Sequence, residues 1–373
     1  MLSSAIALAK SSLRQMGLLP YAKRAYGALM QTGKSSLLGP IAYELRTLVE
    51  RANFSGIGVV HNLPQIHHYW SNKFLKPKCE QLGFSGTDEF YLTFIKDALC
   101  RGKASGQSKI ISAGSGNGDL EVRLASRLLE DGFRDFQIEC LDMDPARLER
   151  CMAHAQAAKV NEYVLTVRGD FNKWTPERSQ TYQCIIANQA LHHVLDLEHL
   201  FDSIQRAMTA SGLFLSSDMI GRNGHQRWPE ARAILEEYWA TLPRSKKYNR
   251  HLSRTDDEFK DWDYSAFGFE GIRAQDVLPL LVDRFGFEVF LGFGGAIDPF
   301  IDRAFGPNFD VEDPGDRHMI DRIAVRNDVE LLRGSLKPTQ MYAVMCLDRS
   351  VAVRCWNSLT PPRAVRPPAE AAI

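Results

Sequence analysis

Residues 109–119 read Lys109-Ile-Ile-Ser-Ala-Gly-Ser-Gly-Asn-Gly-Asp119, and this stretch decides the fold. Ile110-Ile111 closes a buried strand, and Gly114, Gly116 and Gly118 alternate through a tight turn. An amphipathic helix follows, with Leu120, Leu124, Ala125, Leu128 and Leu129 at helical spacing. Glycine lets the backbone take φ > 0 and lets a ligand reach main-chain N–H groups that a side chain would screen. The helix start just beyond adds N–H groups suited to a polar or anionic group. Taken alone, the stretch leaves a glycine-rich turn that holds nothing as the lesser alternative.

Working outward, residues 136–142 form a second strand ending in Asp142, about 20 residues past the glycine turn, where an acid holds a ribose diol in a βαβ nucleotide site. Asp144-Pro145 starts a helix. A third strand, 163–168, leads to Gly169-Asp170-Phe171, and a fourth, 182–188, to Asn188-Gln189 and then His192-His193. Leu197, Leu200, Phe201, Ile204, Ala207 and Met208 share one helix face before the fifth strand, 213–219, which ends at Asp218. This alternation calls for a parallel sheet with helices on both faces. Residues 223–271 break the rhythm and read as an insertion over the carboxyl edge. A helix at 274–285, a sixth strand at 287–293, a helix around 320–332 and a last strand at 339–347 complete the pattern.

Composition narrows the function. The 373 residues are enough for one decorated domain or two, at roughly 100–200 residues each. With 45 basic and 45 acidic residues there is no global field to draw nucleic acid or an anionic membrane. Seven scattered cysteines without a CxxC pair argue against a disulfide framework or a zinc site of that type, and read as reduced thiols in a cytoplasmic protein. No 18-residue apolar run occurs, and the apolar stretch at 5–9 precedes its basic residues, the wrong order for a secretory signal. Residues 2–30 suit a basic amphipathic helix interrupted by Pro20, which allows a weak membrane-surface contact. His67-His68 lacks further local ligands, so no metal site is expected there.

Together these signals resemble the class I S-adenosylmethionine-dependent methyltransferases over roughly residues 109–348. That family's first motif, an apolar strand followed by acid-x-Gly-x-Gly-x-Gly, matches residues 110–118 except that Ser112 stands where an acid is usual. The resemblance implies an α/β, Rossmann-like, seven-stranded, mostly parallel sheet with helices on both faces. Residues 1–108 would form an N-terminal helical cover, 109–350 the core with an inserted cap at 222–272 after the fifth strand, and 351–373 a flexible tail. It also implies S-adenosyl-L-methionine as cofactor. Ser112, Gly114, Gly116 and Gly118 would hold its amino-acid part, and Asp142 its ribose. Met143 would flank the adenine, Asp170 would meet its amine and Phe171 its ring, while Asn188 with Gln189 would line the methyl donor.

Methyl transfer is an in-line displacement at a sulfonium carbon, so the enzyme mainly orients the acceptor, excludes water and sometimes removes a proton. His193 and His192 follow the fourth strand beside the expected methyl, with His193 the favoured base and a helix-start packing role the alternative. Asp218 is a further polar candidate. His225, Arg227, Trp228, Tyr248, Asn249 and His251 of the insertion offer aromatic faces, donors and positive charge. That mix fits a small hydroxyl- or amine-bearing acceptor such as a sugar, a phenol or a secondary metabolite. Two rivals stand: an NAD(P)-dependent oxidoreductase, whose GxGxxG spacing would need a glycine where Asp119 stands, and a non-catalytic scaffold protein that keeps the donor pocket.

Overall fold

A computed structural model of the chain describes Tyr43, Thr47 and residues 63–102 and 107–367. The N-terminal stretch at 2–30, expected as an amphipathic helix, lies outside the described residues.

Eight strands form the main sheet: β1 Ser108–Ala113, β2 Phe136–Asp142, β3 Val164–Arg168, β4 Tyr182–Asn188, β5 Met208–Met219, β8 Gly286–Phe293, β9 Gln340–Cys346 and β10 Arg354–Cys355. Their order is β10-β8-β9-β5-β4-β1-β2-β3, with β6 Tyr248–Asn249 and β7 Arg254–Thr255 in a separate hairpin. All neighbours pair in parallel except β9, which slots antiparallel between β5 and β8. The expected count of seven is corrected by one. Arg354–Cys355 pairs with Val289–Phe290, because Trp356 and Leu359 just beyond are buried and pin the segment to the body. Lys78 adds its ammonium 4.2 Å above the Trp356 ring. Residues assigned to a tail thus become part of the sheet, and a short helix follows at Pro361–Ala364.

The parallel strands are apolar almost throughout, since helices cover both faces. In β4 every residue but Asn188 is buried. The helix Leu197–Ala207 buries Leu197, Leu200, Phe201, Ile204 and Ala207, spaced to form one face against the sheet. Asp144 caps the helix Pro145–Ala157 by accepting from the Ala146 N–H at 3.0 Å. The same Asp-Pro signal starts Pro314–Arg333 at Asp313, six residues before the expected Ile320, because the cap and not the apolar stripe sets the boundary.

The N-terminal helices divide into two groups. Gln65–Trp70 and Lys76–Gln81, joined by a π turn at Ser71–Leu75, pack on Pro314–Arg333, with Lys73 on Asp321 at 2.7 Å and Lys78 on Asp328 at 2.6 Å. Thr87–Arg101 instead packs on β4 and β5 and sends the fully buried Tyr91 between their ends. Its hydroxyl accepts from the Ser217 N–H at 2.9 Å and lies 3.3 Å from both the Ala187 carbonyl and Asn188 Oδ1. No helix of the described residues is long and apolar enough to cross a membrane.

Reversal of strand order between β1 and β4 creates a crevice at their carboxyl ends, the place where open α/β sheets bind ligands. The glycine turn leaves β1 on one side of it, and residues 188–193 leave β4 on the other.

Candidate active site

One side of the crevice is built by the tips of β1 to β3. Gly114, Gly116 and Gly118 have φ of 74°, 61° and 70°, values that disfavour any side chain. Their surroundings differ. A Cβ on Gly114 would come within 3.0 Å of Ala190 and 3.5 Å of the Phe171 ring, and one on Gly118 would overlap Cys151. Gly118 is therefore a packing glycine between the helices Asp119–Glu130 and Pro145–Ala157. At Gly116 the nearest atom is an Arg147 guanidinium nitrogen 3.7 Å away, so this residue alone of the three leaves room beside its backbone.

Asp142, buried at the end of β2, faces that room. Its Oδ2 accepts from the Gly116 N–H at 3.0 Å and its Oδ1 from the Asp144 N–H at 2.8 Å, while each oxygen keeps a lone pair for a further donor. Burial raises its pKa above the usual value, against the pull of the Asp144 N–H and Arg147. Asp170 accepts from the Asn172 N–H at 3.0 Å and from the Tyr43 hydroxyl, so a residue of the N-terminal region closes over the third strand tip. Tyr43 also meets Phe269 of the insertion at 5.5 Å and lies under the Lys173 ammonium. Phe171 is buried beside Gly114, and Met143 is half-buried next to Asp142.

Ser112 proves to have a partner that the motif did not disclose. Its hydroxyl donates to Glu121 Oε1 at 2.6 Å, and both side chains are buried. The carboxylate missing from β1 arrives instead from the first turn of the following helix. Burial is the main influence on Glu121 and raises its pKa to about 7, partly offset by the Ser112 bond. An acid inside the apolar stripe of Leu120 and Leu124 was the available signal.

The other side is an imidazole cluster. Asp218, with no exposure at all, anchors it. Its Oδ2 accepts from the Ala190 N–H at 2.8 Å and the Leu191 N–H at 2.7 Å. Its Oδ1 accepts from the Met219 N–H at 2.8 Å and meets His192 Nδ1 at 2.7 Å. This places the His192 Nε2 toward Glu270, 3.5 Å from Oε1. His225 Nε2 lies 2.7 Å from the same oxygen, and His193 Nε2 lies 3.6 Å from Oε2. Two segments of the insertion thus supply His225 and Glu270, 45 residues apart, to meet the histidines that follow β4.

The electrostatics follow. Burial lowers the His192 pKa most, yet Asp218 and then Glu270 outweigh it and carry the value to about 10. Burial would raise the Glu270 pKa, but His192, His225 and His193 hold it well below the carboxylate range. His225 is lowered, chiefly by burial and against its bond to Glu270.

Of the insertion residues expected in an acceptor wall, only His225 joins the cluster. Trp228 lies under the Arg366 guanidinium, 4.5 Å from it. Asn249 Oδ1 accepts from the His251 and Leu252 N–H groups, and its Nδ2 donates to Asp256. Sequence reading missed Glu270, whose only mark is an acid beside Gly271 in Gly268-Phe-Glu-Gly271.

Residues 104–263 match a family described as Methyltransferase domain. Over those residues the chain is similar to that family. No curated protein matches the chain in sequence. Among solved structures it is similar to a geranyl diphosphate methyltransferase in complex with S-adenosylmethionine, at 13% identity over 70% of this chain and 86% of that one, TM-score 0.39. A geranyl diphosphate C-methyltransferase from Streptomyces coelicolor A3(2) gives 14% identity over 69% and 75%, TM-score 0.38. The [4+2]-cyclase SpnF gives 13% over 83% and 95%, TM-score 0.40. The open face of Gly116 beside Asp142, with Phe171 buried against Gly114, fits a nucleoside-bearing group.

Proposed function

We propose that the chain methylates a hydroxyl or amine of a small molecule, such as a sugar, a phenol or a secondary metabolite, at the junction of the two sides of this crevice. The observation that carries the reading is the convergence of His192, His193, His225 and Glu270 at the carboxyl ends of β4 and β5, across from Gly116 and Asp142. When bound, the donor supplies an electrophilic sulfonium methyl. The chain supplies the rest. Asp142 orients the ribose, the Gly116 backbone admits the amino-acid part, with Ser112 and Glu121 behind it, and Asp170 and Phe171 take the adenine, with Met143 flanking it. Asn188 and Gln189 line the approach to the methyl.

His193 is the favoured base for the acceptor's proton. His192 is tied through Nδ1 to Asp218 and more deeply buried, so its role is to hold the loop and the local charge. A correctly placed base contributes roughly 10²–10⁴-fold. His193→Ala should therefore lower turnover at least tenfold, followed as S-adenosylhomocysteine release, while donor affinity by calorimetry stays within twofold. Unchanged turnover would remove the base role.

A further inference from the structure

His192, His225 and Glu270 do more than pair charge. Their ligand atoms all lie within 4.8 Å of one another, and His193 adds a third imidazole on the second carboxylate oxygen. Three imidazoles around two carboxylates, Glu270 and Asp218, is more ligand nitrogen than ion pairing requires. The backbone is also shaped for this meeting. His225 sits at φ 55°, uncommon outside glycine, directly after Gly224 at 65°. Gly224 donates its N–H to the Gly271 carbonyl at 2.8 Å, and a Cβ on Gly271 would reach the His225 ring at 3.1 Å. The Ile272 N–H in turn donates to the His192 carbonyl at 3.1 Å. Strained backbone and two close glycine contacts thus hold Glu270 between His225 and His192.

We infer that His192 Nε2, His225 Nε2 and Glu270 Oε1 form a binding site for one divalent transition-metal ion. Metal–nitrogen and metal–oxygen bonds of about 2.0–2.1 Å set ligand atoms about 3.3–3.4 Å apart in a tetrahedron. The observed 2.7 Å from His225 and 3.5 Å from His192 to Glu270 bracket that spacing, so side-chain adjustment alone admits the ion. Asp218 on His192 Nδ1 is the outer carboxylate that fixes the tautomer and orients a ligating imidazole. Imidazole with carboxylate selects zinc or iron(II) over magnesium or calcium, and three protein ligands leave a coordination position open. On the methyl-transfer reading above, that position takes the acceptor oxygen and makes its proton easier to remove, with His193 alongside. Binding of the ion itself does not depend on that reading.

The test uses the full chain, stripped with chelator and titrated with Co2+ and Zn2+. One equivalent should bind, and Co2+ should give d–d bands without thiolate charge transfer. The second condition matters because all seven cysteines are free thiols. His225→Ala and Glu270→Gln should each weaken Co2+ at least tenfold, and Asp218→Asn by about 10–100-fold. Absence of binding, a thiolate band, or affinity unchanged in both ligand variants would overturn the site. Should those variants fail to fold, wild-type protein with Co2+ should show hyperfine-shifted imidazole ring protons, and their absence is equally decisive against it. Donor titrated separately keeps the two readings apart: donor binding without metal binding removes the metal site alone.

Discussion

The two sides of the crevice are built in opposite ways. The glycine-turn side, at the tips of β1 to β3, is made of backbone N–H groups, glycines and single carboxylates that keep lone pairs in reserve. The other side, at the tips of β4 and β5, is a closed network in which Asp218 alone receives bonds from the Ala190, Leu191 and Met219 N–H groups and meets the His192 ring. The first is open to a ligand and tolerant of what surrounds it. The second is rigid and depends on residues brought from far along the chain. Loss of one group should therefore cost ligand binding on the glycine-turn side and folding on the other.

Asp218→Ala should show the largest effect. It takes their acceptor from the Ala190, Leu191, His192 and Met219 N–H groups and from a buried imidazole, and breaking a buried charged network costs about 3–5 kcal/mol. Urea unfolding of the variant should show a midpoint lowered accordingly. A loss below about 1 kcal/mol would mean that the two sides do not differ as described.

Glu121 sharpens the comparison from the glycine-turn side, where its carboxyl group is buried against the Ser112 hydroxyl. Its folded pKa of about 7 exceeds the ordinary 4.5, so the folded state binds the proton more tightly than the unfolded one. Stability from this group is full below about pH 4.5 and falls as pH rises toward 7. The fall should be on the order of 3 kcal/mol, at about 1.4 kcal/mol per pKa unit over the rise from 4.5 to about 7. Glu121→Gln should flatten stability across that window, and an unchanged slope would show that Glu121 titrates normally. Ser112→Asp should be destabilising by itself, because it sets a second acid against Glu121, and Ser112→Asp with Glu121→Ser should recover most of the loss.

Legibility in the sequence divides along the same line. The strands from β1 to β9 that carry the sheet, the glycine turn and the placement of Asp142, Asp170 and Phe171 at strand tips could be read because each signal is local: a strand, a turn and an acid within a few residues. The eighth strand escaped because two residues, Arg354–Cys355, carry no period, and only burial of Trp356 and Leu359 places them. Glu121 escaped because the motif looks for its acid on the strand and not nine residues later on a helix. His192, His193 and Asp218 could be named but not assembled, and Glu270 could not be named at all. Its partners are contributed by an insertion whose folding rests on contacts such as Trp239 against Phe259, Phe300 and Phe305, which no local pattern encodes.

The division of labour is tested most directly by calorimetric titration of S-adenosylmethionine into wild type, Gly116→Val and His193→Ala, each checked for folding. Wild type should bind one equivalent, and His193→Ala should match it within twofold. Gly116→Val, which fills the open face at φ 61°, should bind at least 100-fold more weakly, about 2.7 kcal/mol. Folded wild type that takes up no donor, or a Gly116→Val variant that binds as wild type does, would contradict the account.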